Sequence, residues 1–161
     1  MISPNQFLFF LSFFLPCSSW AESRVNLVTH SFFTHYDFVR VSEYITGKEN
    51  TSGRAILRTH GGKRDGLYLL VDLGFKEKNT PFRPKPHKLQ LQILDSQSLD
   101  PVTYSFVLSE QAITNGEVWL GLTGEDWPTP KKKIMAWHIS IEAEDDSILT
   151  NNQSYLWSHK K

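Results

Sequence analysis

Residues 88–94 read KLQLQIL, a strict alternation with Leu89, Leu91 and Ile93 on one side and Lys88, Gln90 and Gln92 on the other. Successive side chains of a β-strand point to opposite faces, so only a strand lets this segment bury one face and wet the other. The same period recurs along the chain. Leu67, Leu69, Val71, Leu73 and Phe75 share a face of LYLLVDLGF (67–75), Tyr104, Phe106 and Leu108 share one of VTYSFVL (102–108), and Val118, Leu120 and Leu122 share one of EVWLGLT (117–123). Met135, Trp137, Ile139 and Ile141 form a face of the next strand, with Trp137 expected in the core. RVNLVT (24–29), DFVRVSEYI (37–45) and RAILRT (54–59) add three segments near the start, and SYLW (154–157) is expected to close the set as a short final strand.

Turn-forming clusters such as TGKENTSG (46–53) and DSQSLDP (95–101) separate these segments. The run 67–75 is apolar enough to predict a central strand covered on both sides along part of its length. The segment 109–116 has room for one helical turn, and 143–153 reads as an acidic loop. About eight strands with almost no helix predict an all-β chain folded as a single antiparallel β-sandwich, immunoglobulin-like or jelly-roll-like.

The first fifteen residues carry no charge and include the apolar block FLFFLSFFL (7–15), followed by Pro16 and by Ser19-Trp20-Ala21. That is the layout of a secretory signal peptide, with the cut expected after Ala21. Residues 1–21 are therefore read as signal and 22–161 as one β-sandwich domain. Retention as an anchor and lipidation at Cys17 remain alternatives. The apolar block is shorter than the roughly 18 residues of a membrane span, and Pro16 stands where a lipidation motif wants a small residue. Cys17 is the only cysteine, so the mature chain is expected to have no disulfide and to rest on its core alone. The expected location is periplasmic, cell-envelope or extracellular, with no integral membrane span in the mature chain.

Lys plus Arg and Asp plus Glu each number 17. A formally neutral chain has no global field to hold nucleic acid, so no nucleic-acid partner is expected. Catalytic and cofactor motifs are also missing. No G-x-S-x-G elbow occurs. Gly61-Gly62-Lys63-Arg64 lacks the spacing of a phosphate-binding loop and reads as a hairpin turn with positive φ. His30 and His35 lie five apart and would face opposite ways on a strand. Glu142, Glu144, Asp145 and Asp146 lack the spacing of a calcium loop. No enzyme activity, metal or cofactor is expected. The P-x-x-P segment at 81–86 reads as a stiff surface connection.

If every connection reverses the chain, the loops 60–66, 95–101 and 124–133 share one end of the sandwich, and those at 46–53, 76–88, 109–116 and 143–153 share the other. The first end gathers Lys63, Arg64, Trp127 and Lys131 to Lys133 with Asp95, Asp100, Glu125 and Asp126. Four of the five tryptophans fall within 116–157. Trp157 is expected to clamp the C-terminus, and Trp119 to lie half-exposed or at a sheet edge. Trp127, beside Pro128, is the aromatic best placed to face a ligand. The candidate ligand-binding set is thus Trp127, Trp119, Lys63, Arg64, Lys131 and Lys132. In an alternative, Asp126-Trp127-Pro128 forms a rigid corner that plugs the end. The leading functional expectation is an exported, non-enzymatic interaction or structural module of a bacterial envelope or secreted assembly, with an unknown protein partner. The second is a carbohydrate-binding module that holds polysaccharide on loop aromatics, and a small extracytoplasmic hydrolase is a distant third.

Overall fold

The computed structural model describes residues 24–74, 85–98 and 100–158. The signal segment with Cys17 and Ala21, and most of the proline-rich connection, lie outside them. The elements in chain order are β1 (Asn26–Phe33), α1 (His35–Phe38), α2 (Val41–Thr46), β2 (Ile56–Arg58), β3 (Gly66–Asp72), β4 (Pro86–Asp95), β5 (Val102–Val107), α3 (Glu110–Asn115), β6 (Glu117–Thr123), β7 (Ile134–Ala143), β8 (Ile148–Gln153) and α4 (Tyr155–Ser158). They form two four-stranded sheets, ordered β1-β3-β6-β2 and β5-β4-β7-β8.

The alternating faces meet between the sheets. Leu67, Leu69 and Val71 of β3 and Val118, Leu120 and Leu122 of β6 share one core with Leu89, Leu91 and Ile93 of β4 and Ile139 and Ile141 of β7. Burying each such aliphatic side chain contributes about 1.5–3 kcal/mol, so the period-two pattern supplies most of the drive to stack the sheets. The expected central strand is central: β3 pairs with β1 on one side and β6 on the other. Its outward Tyr68 is as fully buried as its inward Leu69.

The segment 37–45 is not a strand. It forms α1 and α2, because local signals outweigh its partial alternation. The Asp37 carboxylate accepts the Thr34 backbone N–H at 2.7 Å and the Thr34 hydroxyl at 2.8 Å, closing the start of α1. Gly47, at φ 65°, ends α2 in the left-handed conformation glycine adopts most readily. With no strand there, β1 and β2 run the same way, and β2 pairs with β6 in parallel, so the sandwich is not wholly antiparallel. β2 and β3 are separated by β6, which makes the 59–65 connection a crossing loop rather than a hairpin. Neither Gly61 nor Gly62 has positive φ.

The C-terminus is also rearranged. Ala143 N–H donates to the Ser147 carbonyl at 2.9 Å and Asp146 takes φ 61°. This tight turn lets 148–153 return along β7 as β8, so the expected acidic loop is mostly strand and SYLW becomes the helical turn α4. Trp137 is half-buried against the core and Met135 is half-exposed, so the inward face of β7 rests on Ile139 and Ile141. The helical turn expected at 109–116 is α3, capped by the Ser109 hydroxyl, which accepts the Ala112 N–H, and ended by Gly116 at φ 72°. Among the described residues no helix is long and apolar enough to cross a membrane.

Candidate functional site

The three loops assigned to one end do meet there. The Lys132 ammonium lies 2.9 Å from the Asp95 carboxylate, Ser96 N–H donates to the Lys133 carbonyl, and the His60 ring stands 3.3 Å from Asp126. At the other end the Gly53 carbonyl accepts Gln111 and Asn115, and Lys85 pairs with Glu110 at 3.8 Å. The grouping survives the loss of the 37–45 strand because that change only reverses the strands before it.

Trp127 is 1% exposed. The expected ligand-facing indole is therefore inside, and the Asp126-Trp127-Pro128 corner closes the end of the sandwich. Lys132 holds it there. Its ammonium sits 4.6 Å from the Trp127 ring centroid, bonds Asp95, and donates to the Asp126 carbonyl at 3.1 Å. Asp95 itself accepts the backbone N–H of Gln97 at 2.7 Å and of Ser98 at 3.0 Å. Burial pushes the Asp95 carboxyl up, but the Lys132 and backbone hydrogen bonds together outweigh it and hold the group below the usual carboxylate range. Burial, with the nearby charges of Asp126 and Asp95, pushes the Tyr104 phenol up to about 12. The Trp127 indole N–H is buried and has no hydrogen-bond partner among the described residues. A sugar ring can stack on this indole only if the end of the sandwich opens.

On the rim, His60 Nδ1 lies 2.8 Å from the Thr123 carbonyl. A carbonyl only accepts, so that nitrogen carries the proton. Thr123 Oγ1 accepts the His60 N–H and donates to the His60 carbonyl, which ties the 59–65 loop to the end of β6. An open cleft of about 570 Å³ lies beside this latch, lined by His35, Lys63, Arg64, Asp65, Glu125 and Trp127 among others. Its charges are mixed in sign and no strong anion or cation site emerges. Among the described residues, no three His, Cys, Asp or Glu side chains converge as metal ligands.

The other candidates separate. Lys63 and Lys131 are exposed on the rim. Arg64 turns away to bond Glu43 at 2.8 Å and approach Glu49 at 3.8 Å. Trp119 is half-buried on the outer face of the first sheet, edge-on to Phe33 and under Arg54. It belongs to a second cluster that the sequence reading did not anticipate. There α1 and the 47–53 loop cover Tyr68. Phe38 packs 4.6 Å from the Tyr68 ring centroid, and Arg58 forks onto Glu49 at 2.6 and 2.8 Å while donating to the Tyr68 hydroxyl at 2.7 Å. Hydrogen bonding from Arg58 lowers the Glu49 carboxyl, and that from Arg64 lowers Glu43. The signal for this cluster was the helical spacing of Val41, Tyr44 and Ile45 before Gly47, which places Glu43 on the opposite side. Trp157 stacks on His138 at 5.8 Å and 18°, and so clamps the C-terminal turn onto β7. Comparison with protein-family models, with curated proteins and with solved structures finds no match to this chain.

Proposed function

We propose that the chain is an exported, non-enzymatic sandwich module, immunoglobulin-like or jelly-roll-like, that docks a partner protein in a bacterial envelope or secreted assembly. The observation that carries this reading is the inverted polarity of α2. Val41, Tyr44 and Ile45 stand at i, i+3 and i+4 and are 79, 81 and 82% exposed, and Tyr36 of α1 is 87% exposed. Meanwhile Glu43 faces the body, bonded to Arg64 and to the Asn50 N–H. A surface helix ordinarily does the reverse, with its apolar stripe inward. Burying Val41 and Ile45 against a partner would gain about 1.5–3 kcal/mol each, and contiguous apolar patches commonly mark protein contacts. Export is supported by the uncharged segment 1–21 with its apolar block at 7–15, and by the position of the sole cysteine, Cys17, within that segment.

The test places a photo-crosslinking residue at Tyr44 in producing cells and repeats the capture with Val41→Asp and Ile45→Asp added. A discrete adduct that the added charges abolish, while the unfolding midpoint stays at the wild-type value, supports the reading. Equal capture with acid on that face, or no capture, overturns it. Sequencing the N-terminus of the exported chain tests the leader, with Glu22 expected first.

A further inference from the structure

We propose that the outer edge of β1 is a strand-addition site for an extended acidic segment of a partner, and that the adjoining cavity takes one of that segment's apolar side chains. β1 is eight residues long and, among the described residues, pairs only with β3, so within that set its other edge presents unpaired backbone donors and acceptors. Its sequence, NLVTHSFF, holds no charged residue and no proline. Natural proteins usually blunt exposed edges with short strands, lysines, prolines or bulges. β2, the far edge of the same sheet, has only three residues and includes Arg58. β1 has one irregularity, between Leu27 and Thr29, and from Thr29 to Phe33 its register is regular. That stretch spans roughly 17 Å at about 3.4 Å per residue, enough for a short added strand.

Strand addition gains affinity from main-chain hydrogen bonds and specificity from pockets for alternate side chains. Such a pocket lies beside this edge. A cavity of about 290 Å³ opens between His30 and Phe32 on β1 and Trp127, Lys132, Lys133 and Ile134 opposite. Its walls are largely apolar, formed by Phe32, Leu67, Trp127 and Ile134.

Charge decides what kind of strand fits. Among the described residues, no acidic residue lines the cavity. Asp95 already holds Lys132, whereas Lys133 is exposed and makes no ion pair among the described residues. An incoming segment with an Asp or Glu near its apolar anchor complements that field. A second copy of the chain does not, because self-pairing centred on His30 brings another uncharged β1 and another Lys133 to the same place. This site shares no element with the α2 face, so the two stand or fall separately.

The test selects a displayed library of random ten-residue peptides on the purified chain carrying Tyr44→Asp and Ile45→Asp, which removes the α2 face. Enriched peptides should alternate apolar and polar residues and carry Asp or Glu. Lys133→Glu should weaken them at least about tenfold, the effect of roughly 1.4 kcal/mol. Alternate N–H groups of an edge strand point away from the sheet, so one of His30→Pro and Ser31→Pro removes an outward donor. The proline variant that keeps the wild-type unfolding midpoint should lose binding. If neither folds, methylating alternate backbone nitrogens of the peptide should abolish binding in one of the two methylation patterns and spare it in the other. No enrichment, peptides without acid or alternation, or binding indifferent to Lys133→Glu and to backbone methylation would each overturn the proposal.

Discussion

Lys132 stands 4.6 Å from the Trp127 ring centroid and 2.9 Å from the Asp95 carboxylate, so one ammonium pins both the indole that closes the sandwich and the turn after β4. Cation–π attraction and a charge-assisted hydrogen bond act together in a nearly dry setting. Trp127→Ala should therefore cost about 3–5 kcal/mol, the range for emptying a buried aromatic site. Lys132→Ala should cost about 3 kcal/mol, because it strands a carboxylate that is 5% exposed. Urea unfolding measures both, and a Trp127→Ala loss below about 1 kcal/mol would show that the indole seals nothing.

The Arg58–Glu49 fork predicts a coupled pair. Arg58 is 6% exposed in its side chain and Glu49 26%, and breaking a largely buried pair from one side leaves the other charge without its partner. Arg58→Met and Glu49→Gln should each destabilise by about 2–3 kcal/mol, and a double-mutant cycle should return a coupling of at least about 1 kcal/mol. Independent effects would mean that solvent screens the pair.

Stability should fall in acid through three carboxyls. Glu43, Glu49 and Asp95 all lie below their ordinary values of 4.5, 4.5 and 3.8 in the folded chain. The unfolded chain then binds more protons in this range. The contribution is complete above about pH 4.5 and is lost as pH falls from there through the depressed folded values. Unfolding free energy measured from pH 7 to pH 2 should drop below pH 4.5, with a shallower drop in Glu49→Gln.

Tyr104 sets the opposite limit. Its phenol is raised from 10.0 to about 12 in the folded chain, so the unfolded chain loses this proton first. The stability that depends on a neutral Tyr104 is whole below pH 10 and is lost as pH rises toward 12. Between pH 9 and pH 11, Tyr104→Phe should lose less stability than the wild type. Absorbance titration at 295 nm should show the loss of a late-ionising phenol in that variant.

His138 should titrate low because burial against Trp157 disfavours its charged form. The unfolded chain then binds the extra proton, so stability is complete above pH 6.5 and declines as pH falls below it. Proton NMR of the imidazole should give a value below 6.5, which moves back toward 6.5 in Trp157→Ala as the ring is exposed.

The core strands were legible because period-two burial is a local rule. Leu89, Leu91 and Ile93, or Val118, Leu120 and Leu122, need no knowledge of their neighbours to declare which side is dry. Loop ends were legible too, since chain reversal constrains which connections can meet, as Lys132 and Asp95 show. The segment 37–45 is ambiguous in sequence because Val39 and Val41 alternate while Val41, Tyr44 and Ile45 also fit a helix, and periodicity alone cannot rank the two over nine residues.

Sequence by itself determined the two-sheet core, the inward face of β4, the central place of β3, and the clustering of the 60–66, 95–101 and 124–133 loops. Tertiary structure alone decided where the aromatic and charged side chains went. A tryptophan in a Pro-flanked loop is equally suited to face solvent or to turn inward. Trp127 turned inward because Lys132 and Asp95, which are distant from each other in sequence, converge where its ring can cover the open end of the core. Glu43 likewise faces the body because Arg64 arrives from another loop, and that pairing leaves Val41, Tyr44 and Ile45 in water.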